Sequence, residues 1–317
     1  MSEFKNLYKN QSNLAQQQSL RRAKLLEEQK QRRENQFSSQ RDIKSENEQQ
    51  KKKKIYKDFD YKNNLMLSEW MMETPEDLED FLLIPCPKGI RSTLSNEKTK
   101  NKNCRLYYKN GTENLRFKTN LPQQTILDCI LDKISNTLFI LDVIKYDGRD
   151  FMNCDTSFRH FWIKNKFIES DLKIIDEESD MKMQLLDVYD LADSNQGFSC
   201  FQKYPMFNEG TELDGFLFYH KEADYTIGET PLVLWLFPFM IEEVLSMFKV
   251  HPNYNNQKPD NYRNYLDYIK IFNETLKKKR RSRNKSESSM EIQENQDENE
   301  FDMQNEIQKM IDLERFG

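Results

Sequence analysis

The stretch from Asp214 to Pro238, DGFLFYHKEADYTIGETPLVLWLFP, constrains the chain most. Two apolar segments, Phe216 to Tyr219 and Leu232 to Phe237, flank a polar span from Lys221 to Thr230 that contains Gly228. Strand-forming runs joined by turn formers predict a β-hairpin with a moderately long loop. The apolar run from Pro231 to Ile241 has 11 residues, about half of the ~20 that a membrane span requires. It must therefore be packed inside a protein core. Trp235, one of three tryptophans, stands near the end of this hairpin.

How much of the remaining chain packs with it is a question of composition. With 317 residues, 32% of them charged, one globular domain with long polar flanks is expected rather than two full domains. The net charge of -5 is small for this length and gives no field that would draw the whole chain to nucleic acid. Cys86, Cys104, Cys129, Cys154 and Cys200 are odd in number and include no CxxC pair, so neither a disulfide framework nor a zinc site is expected. His160, His220 and His251 have no metal-ligand spacing and read as structural. The N-terminus MSEFKNLYKN lacks the apolar core of a signal peptide, which places the expected compartment in the cytosol or nucleus.

Residues Leu14 to Phe37 contain no Gly or Pro and many good helix formers, among them Arg21, Arg22, Lys24, Lys30, Arg32 and Arg33. The apolar stripe of Leu14, Leu20, Leu25, Leu26 and Phe37 is thin, so this helix is expected to need a partner. An acidic protein groove, nucleic-acid phosphates or simple solvation would each suit its charges. Ser38 to Lys57 reads as a linker. Order begins near Tyr61, and Thr74 to Asp77 (TPED) reads as a helix start. Ser92 to Asn103 reads as a polar loop or edge strand. Asn110-Gly111 predicts a tight hairpin, TILDCILDKISNTLFILDVIKYDG predicts another, and FRHFWIKNKF (158–167) predicts a helix with Trp162 as a core anchor. Pro238 to Phe248 is expected as an amphipathic helix and Asn256 to Leu276 as a peripheral one. Lys277 to Lys285 is a basic block, and Ser286 to Gly317 an acidic, low-complexity tail.

LMLSEW (65–70), TILDCI (125–130), LDVIKYDGRDFMNCDTSFRHFWI (141–163) and DGFLFYHKEADYTIGETPLVLWL (214–236) resemble, in this order, the snurportin family of import adaptors for spliceosomal small nuclear ribonucleoproteins. The arginine-rich N-terminal helix resembles that family's importin-beta-binding segment. The resemblance implies an α+β fold with two antiparallel β-sheets, similar to the GTP-binding part of mRNA guanylyltransferase, with a separate N-terminal helix and disordered flanks. It divides the chain into an importin-beta-binding segment (1–41), a flexible linker (42–60), a cap-binding domain (61–254) and a tail (255–317). The implied ligand is the 2,2,7-trimethylguanosine cap of U small nuclear RNAs, with no cofactor or metal. The implied location is shuttling between cytoplasm and nucleus.

Departures from the guanylyltransferase pattern imply a binder rather than an enzyme. Where that family carries the nucleophilic lysine of KxDG, CPKGIR has Cys86, and Lys88 stands where the Asp would be. Leu234 and Leu236 replace the lysines expected around Trp235. Without a lysine to form the phosphoramidate, covalent transfer has no route. N7 methylation makes the guanine cationic, which suits stacking on tryptophan, and the resemblance puts Trp235 in that role. Trp70 and Leu67 are the implied wall for the N2 methyl groups. Ser68 and Lys109 match positions that touch the ribose-phosphate part, Ile90 and Arg91 a cap-contacting turn, and Leu236 flanks the platform. Arg21, Arg22, Lys24, Lys30, Arg32 and Arg33 are the implied importin-beta contacts. Exportin binding is the weaker inference, because only Met1, Phe4 and Leu7 precede the helix as apolar anchors. An RNA guanylyltransferase or ligase-like enzyme and a general single-stranded RNA binder are the alternatives.

Overall fold

The computed structural model describes residues 11–43, 60–96, 103–175, 180–208, 210–260 and 262–290. The anchors Met1, Phe4 and Leu7, nearly all of the expected linker and the tail beyond residue 290 lie outside them. In chain order the elements are α1 (Gln11–Ile43), β1 (Met66–Trp70), β2 (Phe81–Pro87), β3 (Ile90–Asn96), β4 (Asn103–Tyr108), β5 (Glu113–Lys118), β6 (Thr125–Asp132), β7 (Thr137–Tyr146), β8 (Arg149–Asp150), α2 (Thr156–Ser170), β9 (Lys182–Leu185), β10 (Tyr189–Asp190), α3 (Ser194–Gln202), β11 (Leu213–His220), β12 (Gly228–Leu236), α4 (Ile241–Val244), α5 (Pro252–Asn255) and α6 (Tyr265–Met290).

The expected hairpin is β11–β12, paired antiparallel from Phe216 opposite Leu236 to Tyr219 opposite Val233. It sits inside a five-stranded sheet of order β1-β12-β11-β2-β10, in which β1 runs parallel to β12 and the other pairs are antiparallel. A second sheet has the order β5-β4-β3-β6-β7-β8, with β9 added parallel to β7. The fold is thus α+β with two mostly antiparallel sheets. Alternation of side chains along each strand divides the apolar residues among three cores. Phe216, Phe218, Leu234 and Leu236 face outward from the five-stranded sheet, against Phe201 of α3, Ile241 of α4 and Ile269 of α6. Leu217, Tyr219, Val233 and Trp235 face the second sheet and meet Ile126, Ile130, Phe139 and Leu141. Leu94, Leu106, Phe117, Leu127 and Cys129 fill the far side of the second sheet, beneath Ile163 of α2.

Several expectations change. Ser92 to Asn96 belongs to a central strand, β3, hydrogen-bonded on both sides by β4 and β6 and buried from Ser92 to Asn96. Two of its polar side chains find partners from distant segments: Thr93 Oγ1 donates to Asn64 Oδ1 at 3.1 Å and Asn96 Nδ2 to Leu121 O at 2.7 Å. The TPED signal starts only a single 3-10 turn, Leu78–Asp80, before β2 takes over. Pro238 to Phe248 gives a 3-10 turn and the four-residue α4, most of it buried rather than amphipathic. The peripheral helix, α6, begins later than expected, at Tyr265, and runs further, through the whole basic block and the first residues of the expected tail to Met290.

The largest correction concerns α1, which packs on the body of its own chain. Arg22 is 3% exposed and grips Asp77 with Nε at 3.1 Å and Nη2 at 2.7 Å. Arg21 pairs with Glu69 at 2.6 and 2.8 Å, and Arg33 with Asp224 at 2.6 Å. Gln18 donates to Glu69 and to Trp70 O, while Gln29 bonds Thr226 and accepts from the Asp224 amide. Leu25 and Leu26 add partial burial. Polar side chains anchor this helix, which is why the apolar periodicity gave no sign of the docking.

Candidate functional site

The two sheets meet at a narrow cavity lined by Cys86, Pro87, Gly89, Arg91, Ile130, Leu217 and Trp235. Gly89 lets the β2–β3 turn lie against β6, since a Cβ there would clash with Leu131 O and Ile130. Gly215, in β11, leaves room for the Trp235 indole, which a Cβ would overlap. Trp235 is only 1% exposed. A flat ligand stacking on its face must therefore part the layers that enclose it.

Arg91 is held from below. Its guanidinium forms a bidentate pair with Asp128 at 2.6 and 2.7 Å and donates to Met66 O at 3.1 Å and to the Tyr219 hydroxyl at 3.4 Å. The Tyr225 hydroxyl donates to Asp128 at 2.7 Å and accepts from the Met66 amide at 3.1 Å. Burial works against the Arg91 charge, but Asp128 and Tyr219 outweigh it and hold the guanidinium well above its ordinary value. The network ties β1, β3, β6 and β11 together and fixes the Arg91–Asp128 ion pair at the cavity wall.

Trp70 stands beside this cavity. It pairs with Trp235 in register across β1 and β12, and Phe237 touches both rings, at centroid distances of 5.6 and 6.1 Å. The register jumps between Ser68 and Glu69, from Thr230 to Leu234 on β12, and so skips Pro231, which has no amide proton to give the ladder. Phe272 of α6 meets the Trp70 ring at 5.4 Å, and Trp70 Nε1 donates to Asn273 Oδ1 at 3.3 Å. Trp70 is half-buried beneath this helix.

The other expected site residues divide. Leu67 and Ser68, buried in β1, lie in the same strand as Trp70, and Ile90 is buried next to Arg91. Leu236 is fully buried in the outer core, because strand alternation turns it away from Trp235. Lys109 lies at the β4–β5 turn, outside the cavity lining, with its carbonyl accepting from the Asn63 amide. The sequence reading missed Asp128, Tyr225 and Phe237. Asp128 had a visible signal, a charge in the middle of the otherwise apolar TILDCI, which demands a buried partner.

A deeper ion pair braces the same region. Arg159 of α2 is fully buried, donating to Asp142 at 2.8 to 3.1 Å and to the carbonyls of Cys154 and Ala223. Burial alone would raise the Asp142 carboxyl, but Arg159 and His160 hold it below the usual carboxylate range. All five cysteines are free. Among the described residues no cluster of His, Cys, Asp and Glu could hold a metal ion, and no helix is long and apolar enough to cross a membrane.

The cavity between the sheets is lined by Trp235 and by Arg91 in its pair with Asp128, and a model for a domain that binds the trimethylguanosine (m3G) cap matches residues 64–238, more than half of the chain. Its description is "Snurportin1, m3G cap-binding domain", and the chain belongs to that family. Among solved structures, the ligase domain of LigD from M. tuberculosis is 12% identical, with 56% of this chain and 60% of that chain covered and a TM-score of 0.38. The Chlorella virus DNA ligase-adenylate is 13% identical, with 55% and 68% covered and a TM-score of 0.36. Likeness at that level says nothing about activity.

Proposed function

We propose that this protein is a non-enzymatic nuclear import adaptor, which holds the trimethylguanosine cap of U small nuclear RNAs in the inter-sheet cleft and offers α1 to importin-beta. The observation that carries the cap assignment is the placement of Trp235 in the lining of the inter-sheet cavity, in register with Trp70 and in ring contact with Phe237. Trp235 supplies a face for the cationic base, worth about 0.5–2 kcal/mol beyond dispersion. Trp70, Phe237 and Leu67 supply apolar surface for the two N2 methyl groups. An unmethylated amine against that surface would lose its hydrogen-bond partners, at about 1–3 kcal/mol.

Support for binding without transfer comes from position 86. The Cys86 thiol lines the cavity where a nucleophilic lysine would be required, and the Lys88 amine points away to Glu212 at 3.0 Å. Incubation with labelled GTP and magnesium tests this: no covalent adduct is expected, and an adduct would establish an enzyme of the guanylyltransferase type instead.

On α1, Lys24, Lys30 and Arg32 are exposed, whereas Arg21, Arg22 and Arg33 are engaged by the body. Importin-beta would meet the first three and displace the contacts of the others. Transport between cytoplasm and nucleus, with exportin as a second carrier, completes the reading.

A further inference from the structure

We propose that Asn273 and Phe272 of α6, outside the matched residues 64–238, are positioning residues for cap selectivity: they fix the Trp70 indole so that the ring offers carbon, and not its N–H, to the N2 methyl groups. The inference rests on the cap reading above. Tyr265, Tyr268, Ile269, Phe272 and Leu276 recur at intervals of three and four residues, so they share one face of the helix. That face is anchored. Ile269 belongs to the outer core and Leu276 is buried. The Tyr265 hydroxyl donates to Met72 O at 2.9 Å, two residues beyond Trp70, and the Tyr265 amide to Glu243 at 3.0 Å. The helix is thus pinned at its start before it reaches Trp70.

Phe272, Phe237 and Asn273 then confine the indole. Phe272 meets it edge-on, with centroids 5.4 Å apart and planes at 83°, and Phe237 tilts against it at 5.6 Å and 50°. These two rings also touch each other at 6.1 Å, and Tyr268 touches both, at 6.3 Å and 5.9 Å. Asn273 Oδ1 accepts from Trp70 Nε1 at 3.3 Å. An indole has a single polar group, which can only donate. A ring held less firmly would exchange between side-chain torsion wells, and turning it over swaps its N–H edge for a carbon edge. The swap matters at N2. Methyl groups laid against an indole N–H would leave that donor without an acceptor, whereas the carbon of the same ring is an apolar wall. With the donor taken by α6, the wall is set before the ligand arrives.

The test measures the affinity of the full chain for trimethylguanosine and 7-methylguanosine cap analogues, which share the N7 charge and differ at N2, and reads the ratio of the two. Asn273→Leu removes the acceptor and keeps a good helix former. The ratio should fall about two- to tenfold, the worth of one hydrogen bond. Asn273→Asp keeps an acceptor and should hold the parental ratio, since its charge acts on the N7 cation of both analogues alike. In a Trp70→Phe protein, which has no indole N–H, Asn273→Leu should leave the ratio where Trp70→Phe alone puts it. An Asn273→Leu protein that melts as the parent does and keeps the parental ratio would overturn the proposal. An equal fall with and without the Trp70 indole would overturn it too, because the helix would then act on the fold and not on the ring. Should Asn273→Leu fail to fold, Phe272→Leu reads the same ring: a lowered ratio is expected, and an unchanged one contradicts the assignment. A parent protein that binds neither analogue, or both equally, would refute the cap reading itself and this inference with it.

Discussion

Trp70 and Trp235 stand in register on the parallel pair β1–β12, and the Phe237 ring touches both. Parallel pairing brings LSEW and PLVLWL, which are far apart in sequence, to one edge of the cleft. On the proposed reading, both tryptophans would act on one ligand.

Trp235→Phe should keep the packing between the sheets and weaken trimethylguanosine-cap binding about tenfold, since indole gives the strongest cation contact among aromatic rings. Trp235→Ala would go further but would also leave a core cavity, at about 3–5 kcal/mol of stability. Gly215→Ala tests the same platform from behind by displacing the indole. Titration calorimetry with a cap analogue, paired with thermal melts, reads all three variants, and unchanged affinity in a folded Trp235→Phe protein would contradict the stacking role.

Docking of α1 through Arg21, Arg22 and Arg33 predicts that Glu69→Gln/Asp77→Asn loosens the helix. Trypsin should then cut sooner after Lys24 and Lys30, and importin-beta should bind several-fold more tightly. On the proposed reading, the body would compete with importin-beta for the same guanidinium groups. Burial works to raise the Asp77 carboxyl, but bonds from His220 and Arg22 bring it down to about 2. A lowered carboxylate contributes stability above its ordinary value near 3.8 and loses it as pH falls toward 2. The pair should thus stay intact between neutral and mildly acidic pH, and digestion rates should not change across that range.

Arg159→Leu should destabilise the fold by about 3–5 kcal/mol, because it strands the Asp142 carboxylate without its partner in a fully buried site. Urea unfolding measures this. An Arg159→Leu/Asp142→Leu protein should recover much of the loss, and no recovery would mean that the bonds from Arg159 to the Cys154 and Ala223 carbonyls matter more than the charge pair.

The strands around Asn110-Gly111, the TILDCI hairpin, α2 and the β11–β12 hairpin were legible because alternation and turn residues are local properties. Burial of β3 was not, since Ser92, Thr93, Ser95 and Asn96 are polar and their partners, such as Asn64 and Leu121, come from distant segments. Docking of α1 escaped for the same reason: Gln18, Arg22 and Gln29 look like solvated side chains until Glu69, Asp77 and Thr226 are placed beside them. At the cleft, resemblance marked Trp235, Trp70 and Arg91. It did not mark Phe237, or Phe272 and Asn273 on a helix outside the matched residues. Leu236 was placed beside the platform by sequence adjacency, whereas the two-residue period of a strand sends it to the other core.

The central claim is that the cleft reads methylation at N2 as well as charge at N7. Competition of trimethylguanosine and 7-methylguanosine cap analogues for the full-length protein tests it most directly. The account predicts that the trimethylated cap wins by about 1–3 kcal/mol, roughly five- to 150-fold, from the amine that would otherwise be buried without an acceptor. Equal affinity for the two analogues would contradict it.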